Sequence, residues 1–227
     1  MTADKYTISD NTPTTLEHHH LKLKICGMKF NTANVAALQP EYLGFIFWEP
    51  SKRNFKGPLE AIPHHIKKVG VFVDATIEKI SRKVEDYKLL AVQLHGHESP
   101  EFCKALKAKI STIQIIKVFS IKDEFNFEAL EAYEEVADFF LFDTKGKLPG
   151  GNGYTFNWDV LNNYPSKKPY FLSGGIGLEE ISKLEAFLKI PASKYCHAID
   201  VNSKFETSPG LKDIDRLEQL IKNLKKN

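Results

Sequence analysis

Apolar and polar residues follow two alternating patterns along most of the chain. Short runs rich in β-branched and other apolar residues, typical of strands, are separated by longer stretches in which apolar residues recur at helical spacing. Eight strands are predicted, at 21–26, 42–47, 67–73, 89–94, 112–118, 138–143, 168–173 and 196–200. In the first of them apolar residues alternate with lysines, which predicts a half-buried strand with the lysines on one face.

The stretches between these strands carry helix signals. Over 76–87 Ile77, Ile80 and Val84 fall on one face of a helix, and Ser99 followed by Pro100 is a favoured helix start. Helices are predicted at 31–39, 76–87, 99–108, 126–136, 177–189 and 211–226, with weaker segments at 59–66 and 156–161.

Eight strand–helix units of this size predict an α/β protein, a single (β/α)8 TIM barrel over residues 21–227. A doubly wound open sheet is the alternative. Residues 1–20 are polar and lack the apolar core of a signal peptide, so we expect a flexible extension. The three histidines at 18–20 could in principle bind metal, but adjacent side chains on such a tail rarely form a specific site.

Composition narrows the function classes. The chain has 227 residues and a formal net charge of +2, too small to indicate nucleic-acid binding by charge alone. No apolar run approaches the ~20 residues of a membrane span. The three cysteines lie far apart, which argues against a disulfide framework and for a cytoplasmic location.

In a barrel, function is expected where the strands end. The strand ends carry Cys26, Gln93, His95, Lys117, Asp143, Asp200 and Asn202. A strand-end cysteine alone is more often a packing residue than a base, and a strand-end aspartate alone is often a helix cap.

Two glycine clusters, at 149–156 and 172–180, follow the sixth and seventh strands. Glycine lets backbone N–H groups approach an anion closely, and barrels often bind phosphate in this region. The predicted phosphate donors are Gly151, Asn152, Gly153, Gly174 and Gly175. The plainer reading is that these glycines only form tight turns.

Seven segments in register carry a more specific signal. They are KICGMK, GFIF with SKR, GVFVDA, VQLHGHE, FDTKGKLPGGNGYTFNW, FLSGGIG and AIDVNSKFETSPGLKD. Together they resemble the phosphoribosylanthranilate isomerase family over about residues 21–226. The resemblance implies an Amadori rearrangement of N-(5-phosphoribosyl)anthranilate to 1-(2-carboxyphenylamino)-1-deoxyribulose 5-phosphate in tryptophan biosynthesis, without metal or organic cofactor. It implies a small phosphosugar as the partner, with no nucleic acid or membrane, and leaves monomer and homodimer open.

The resemblance also assigns residues. It implies Cys26 as the general base, Asp143 as the general acid and Arg53 as the ligand of the anthranilate carboxylate. The remaining substrate contacts would be Gln93, His95, Asp200, Asn202 and Ser203. Two segments depart from the family pattern: Lys52 stands where proline is expected before the arginine, and Lys204 and Phe205 stand in a loop expected to contain glycine.

These assignments fit the chemistry of the residue types. Opening a furanose ring needs an acid that stays protonated near neutral pH, and the apolar run 138–142 would bury Asp143. A free thiol is only slightly ionised at pH 7, so Cys26 needs a nearby positive charge, which the substrate iminium could supply.

Other functions remain as alternatives. An aminoaldose isomerase of the histidine-pathway type would carry paired aspartates at strands one and five, whereas these strands end in Cys26 and Lys117. A phosphosugar-binding barrel without activity would not need the Cys26–Asp143 pair. The segment 95–98, HGHE, could form a zinc site, but it matches the family's turn after strand four.

Overall fold

A closed barrel of eight parallel strands forms the centre of the structure, a computed structural model that describes residues 21–122, 124–144 and 155–225. The strands are β1 (Lys22–Ile25), β2 (Tyr42–Ile46), β3 (Lys67–Phe72), β4 (Ala91–Leu94), β5 (Gln114–Ile121), β6 (Phe139–Thr144), β7 (Tyr170–Leu172) and β8 (Cys196–Val201). Because β8 pairs with β1, the sheet has no edge and the open-sheet alternative is wrong. The predicted TIM barrel and all eight strands are confirmed.

Within the described ranges, five α-helices surround the barrel. They are α1 (Thr32–Ala37), α2 (Ile77–Tyr87), α3 (Pro100–Lys109), α4 (Ile181–Phe187) and α5 (Ile214–Leu224). The starts of α2 and α3 are capped as their sequences indicate, since Thr76 Oγ1 accepts from Lys79 N at 3.3 Å and Ser99 Oγ from Phe102 N at 3.2 Å.

Three helix predictions need correction. The segments predicted at 126–136 and 156–161 are 3-10 helices, Phe127–Tyr133 and Trp158–Asn163. Between β2 and β3 there is no helix, because Gly57, Pro58 and Pro63 interrupt the weak helical pattern.

The helix predicted to begin at 211 begins at Ile214, and a short hairpin precedes it. Strands β9 (Glu206–Ser208) and β10 (Leu211–Lys212) pair antiparallel after β8. The side chain of Asp213 accepts from Arg216 N at 3.1 Å and so sets the start of α5.

Two apolar cores flank the strands. The larger lies between the strands and the helices and includes Leu23 and Ile25 of β1. The smaller fills the inside of the barrel with Tyr42, Val69, Ala91, Ile116, Val118, Phe139, Leu141, Phe171 and Ala198. The expectation of a half-buried β1 is wrong, because Lys24 is fully buried.

Some predictions concern residues outside the described ranges. These are the extension at 1–20 with its three histidines, and the phosphate donors Gly151, Asn152 and Gly153. Within the described residues, no helix is long and apolar enough to cross a membrane.

Candidate active site

A cavity with about 720 Å³ of free space, part of it open to solvent, lies at the carboxyl ends of the barrel strands. It brings together ten residues that the sequence predicts for the site: Cys26, Arg53, Gln93, His95, Asp143, Gly174, Gly175, Asp200, Asn202 and Ser203. They come from the ends of six strands and the loops that follow them, so barrel closure assembles the site from segments far apart in the chain.

Cys26 follows β1 directly and is held by a hydrogen bond from its N–H to the Val201 carbonyl at 2.9 Å. The chain then turns at Gly27, whose φ of +77° is unfavourable for residues with a Cβ. A Cβ there would lie 2.5 Å from Asn202 Oδ1 and 2.8 Å from the Arg53 Cδ. The glycine therefore permits both the turn and the close approach of two predicted substrate ligands.

Lys24 lies beneath the cavity as a buried cation. Its Nζ donates to Asp200 Oδ2 and to Gln93 Oε1, both at 2.8 Å. Burial lowers the pKa of Lys24, but the Asp200 carboxylate and, when it is ionised, the Cys26 sulfur outweigh that effect and hold the pKa above its ordinary value. Lys24 is therefore a fixed positive charge two residues before the cysteine, on the same side of the strand.

The same neighbours act on the Cys26 thiol. Burial raises its pKa and the Asp200 carboxylate adds to the rise, whereas Lys24 and Lys212 oppose it. Because burial dominates, the thiol is protonated in the ligand-free protein at neutral pH. The two lysines reduce the cost of forming the thiolate.

Asp200 offers an acceptor to the cavity. Burial raises its pKa, and Lys24 opposes that rise. Its Oδ2 is bound by Lys24, but Oδ1 is buried without a hydrogen-bond partner within the described residues. A buried acceptor left unpaired is costly, so this atom is suited to receive a hydroxyl of a bound ligand.

Asp143 at the end of β6 is nearly buried, with 4% of its surface exposed. Its Oδ2 lies 3.3 Å from His95 Nε2, and its Oδ1 accepts from Thr144 N at 3.0 Å. Both carboxylate oxygens are thus oriented, in the apolar surroundings that the sequence predicts.

Arg53 in the loop after β2 reaches the cavity but is paired inside the protein. Its Nε and Nη2 donate to the carboxylate of Glu206 on β9 at 2.6–3.0 Å. Sequence reasoning assigned no role to Glu206.

The glycines after β7 form another side of the cavity. Gly174 and Gly175 have φ values of +90° and +73°, and Gly174 packs against Thr144 with no room for a side chain. Ser203 and Lys204 line the cavity as well. Lys204 thus places a cationic side chain where the family pattern led us to expect glycine.

One predicted strand-end position, Lys117, does not line the cavity. Strand β5 continues to Ile121, so the prediction that strand five ends at Lys117 is wrong, and Lys117 is buried in a 2.9 Å ion pair with Glu98. His95 lines the cavity whereas His97 is exposed. No group of three or more potential metal-ligating side chains occurs among the described residues.

Comparison with known proteins identifies the family. Residues 23–223 match the family model described as N-(5'phosphoribosyl)anthranilate (PRA) isomerase. The chain belongs to this isomerase family. A relative named N-(5'-phosphoribosyl)anthranilate isomerase, from Parabacteroides distasonis, is 41% identical over 210 residues, covering 89% of this chain and 92% of the relative.

Solved structures of the family agree with the fold. The phosphoribosyl anthranilate isomerase of Thermus thermophilus superposes with a TM-score of 0.77 at 26% identity, covering 91% of this chain and 99% of that one. Another family structure, in complex with reduced 1-(o-carboxyphenylamino)-1-deoxyribulose 5-phosphate, has a TM-score of 0.71 at 28% identity and covers 91% and 100% of the two chains.

Family membership confirms the resemblance seen in the sequence. The chain is an isomerase of tryptophan biosynthesis, and the histidine-pathway alternative is set aside. Sequence reasoning missed the charged residues that support the site: Lys24, Glu206 and Lys212. Lys24 and Cys26 are two residues apart, so their side chains lie on the same face of the strand. This spacing could have indicated a role for Lys24 in the site.

Proposed function

We propose that this chain rearranges N-(5-phosphoribosyl)anthranilate to its 1-deoxyribulose 5-phosphate isomer with Asp143 as the general acid and Cys26 as the general base. The observation that carries the proposal is that both residues line one cavity, one with an adjacent imidazole and the other among buried cations. Neither residue alone would indicate this reaction.

In the first step Asp143 protonates the furanose ring oxygen. The C1–O bond breaks while the nitrogen lone pair forms a C1=N iminium, and Asp143 is left as a carboxylate. The contact with His95 and the bond from the Thr144 amide keep the carboxyl group in place before and after this transfer.

In the second step Cys26 passes its thiol proton to solvent at the open side of the cavity, and the resulting thiolate removes the proton from C2. The C2–H electrons form the C1=C2 bond and return a lone pair to nitrogen, giving an enol that tautomerises to the ketone. The positive iminium adds to the fields of Lys24 and Lys212 and so favours the thiolate at the moment when it is needed.

The other predicted residues bind the substrate. Arg53 would bind the anthranilate carboxylate, and the unpaired Asp200 Oδ1 would accept from a ribose hydroxyl. Gln93, His95, Asn202 and Ser203 line the same cavity. The phosphate would lie against Gly174 and Gly175, and Gly151, Asn152 and Gly153 remain predicted donors.

The test is turnover of freshly prepared phosphoribosylanthranilate, followed by the loss of anthranilate-type fluorescence. Asp143→Asn should nearly abolish turnover and Cys26→Ser should leave a small residual activity. Full activity in either variant would refute the role assigned to that residue. A protein that binds the product analogue but shows no turnover would instead be a phosphosugar-binding barrel.

Assembly and location remain part of the proposal. A monomer or homodimer in the cytoplasm is what the sequence predicts, with no nucleic-acid or membrane partner. Size-exclusion chromatography with light scattering would decide between the two assembly states.

A further inference from the structure

The Arg53 guanidinium is fixed by a buried carboxylate on the hairpin after β8. Nε lies 3.0 and 2.9 Å from the two Glu206 oxygens, and Nη2 lies 2.6 Å from Oε2. The exposed fraction is 18% for the Arg53 side chain and 3% for Glu206. A bidentate pair with so little solvent contact sets the plane of the guanidinium as well as its position.

Glu206 is itself held on its other side. Its Oε1 accepts from Lys212 Nζ at 2.8 Å and from Gly210 N at 3.1 Å. Lys212 in turn donates to Asn202 Oδ1 at 2.9 Å. Burial favours the neutral form of Glu206, but Arg53 and Lys212 outweigh it and hold its pKa below the usual range.

The ion pair with Glu206 occupies one edge of the Arg53 guanidinium and leaves a second edge for another partner. Arginine has five N–H donors in a fixed plane, and Glu206 occupies the edge formed by Nε and Nη2. The end formed by Nη1 and the second Nη2 hydrogen has no hydrogen-bond partner among the described residues. Arg53 lines the cavity, so this second fork is available to a ligand.

The net charge of the cluster formed by Arg53, Glu206 and Lys212 allows it to bind one anion. Arg53 and Lys212 contribute two positive charges and Glu206 one negative charge. The cluster therefore keeps one net positive charge at the cavity wall, enough to pair with a single carboxylate.

We propose that Glu206 is a positioning residue that sets the orientation of Arg53 and thereby selects substrates with an ortho-carboxylate. This inference rests on the proposed role of Arg53 in binding that carboxylate. Without Glu206 the guanidinium would keep its charge but lose its fixed plane, so recognition of the carboxylate would weaken while contacts to ribose and phosphate stayed unchanged.

The experiment compares two ligands. One is reduced 1-(o-carboxyphenylamino)-1-deoxyribulose 5-phosphate and the other is the same compound without the carboxylate. Calorimetry should show that Glu206→Gln weakens binding of the first by about tenfold or more, the usual effect of losing a hydrogen bond to a charged group. Binding of the second should stay within about twofold of the wild type.

Control variants make the outcome specific. Glu49→Gln removes a glutamate from an exposed ion pair with Lys79 and should change neither affinity. Glu206→Asp keeps the charge and should retain part of the preference for the carboxylate. If Glu206→Gln does not fold, as judged by circular dichroism, Glu206→Asp serves in its place and should lose affinity for the carboxylated ligand alone.

The result that overturns the proposal is an equal loss for both ligands, or no loss for either. Arg53→Ala tests the binding role of Arg53 separately from the positioning role of Glu206. If it removes the preference for the carboxylate and the Glu206 variants do not, only the positioning role is wrong. If Arg53→Ala leaves the preference intact, the role of Arg53 under the proposed function is wrong as well.

Discussion

Replacing Lys24 with methionine should destabilise the protein and make the Cys26 thiol harder to ionise. Lys24 Nζ lies 2.8 Å from Asp200 Oδ2, with 0% and 5% of the two side chains exposed. At that distance and an effective dielectric constant of about 20, the attraction is about 6 kcal/mol. The desolvation of both charges offsets part of it.

Methionine fills most of the lysine volume, so the main cost is the buried carboxylate left without its partner. Removing one member of a buried pair costs about 3–5 kcal/mol, and we expect that loss in the free energy of unfolding from urea titration. Lys22→Met is the matched control, because Lys22 lies on the same strand and is partly exposed. We expect it to change stability by less than about 0.5 kcal/mol.

The double variant Lys24→Met/Asp200→Leu should recover most of the lost stability, since replacing a buried pair with apolar residues is often neutral. If the double variant loses as much as Lys24→Met, or if Lys24→Met loses no more than Lys22→Met, the lysine is not held by the buried ion pair as we argue.

Thiol reactivity gives a second readout. Lys24 lowers the pKa of Cys26 and Asp200 raises it, so loss of the lysine should move the iodoacetamide reaction of Cys26 to higher pH. Peptide mass spectrometry separates Cys26 from the buried Cys103 and Cys196. An unchanged pH profile would show that Lys24 does not act on the thiol.

Two further variants test other features. Gly27→Ala should lower the free energy of unfolding in urea titration by about 2 kcal/mol, because alanine is strained at φ +77° and its Cβ would contact Asn202 and Arg53. Gly57→Ala is the control, since nothing lies within 4 Å of a Cβ at that position. Equal stabilities of the two variants would refute the argument. Burial lowers the pKa of His197 to about 4. As pH falls from about 6.5 to 4, the unfolded chain therefore binds a proton at this histidine while the folded protein does not. The free energy of unfolding should decrease over that range. The slope of unfolding free energy against pH should be smaller in His197→Gln, and equal slopes would contradict this.

The barrel could be predicted because each strand is a local apolar run and the residues that end it are visible in one segment of sequence. The helix predictions were weaker where packing rather than local signals decides the structure. Phe127–Tyr133 carries a helical pattern but forms a 3-10 helix, and Leu211–Lys212 continues a helical pattern but pairs with β9. Those outcomes depend on contacts made elsewhere in the chain.

The residues that line the cavity were also predictable, since barrel strands end on one face. Their supporting charges were not, because these depend on register between distant strands. Lys24 meets Asp200 only because β1 and β8 close the barrel with those residues opposite one another. Glu206 meets Arg53 only because the hairpin after β8 lies beside the loop after β2.

The ion pairs beside Cys26 and Arg53 contain one more cation than anions. Within the described residues, Lys24, Arg53 and Lys212 are cations held by two anions, Asp200 and Glu206. One positive charge of this cluster is therefore unmatched, and the proposed substrate brings one carboxylate to it. A neutral ligand would leave that charge uncompensated in a site with little solvent. Lys24 and Lys212 of the same cluster also lower the pKa of Cys26, so carboxylate binding by Arg53 and proton abstraction by Cys26 depend on neighbouring members of one charged cluster.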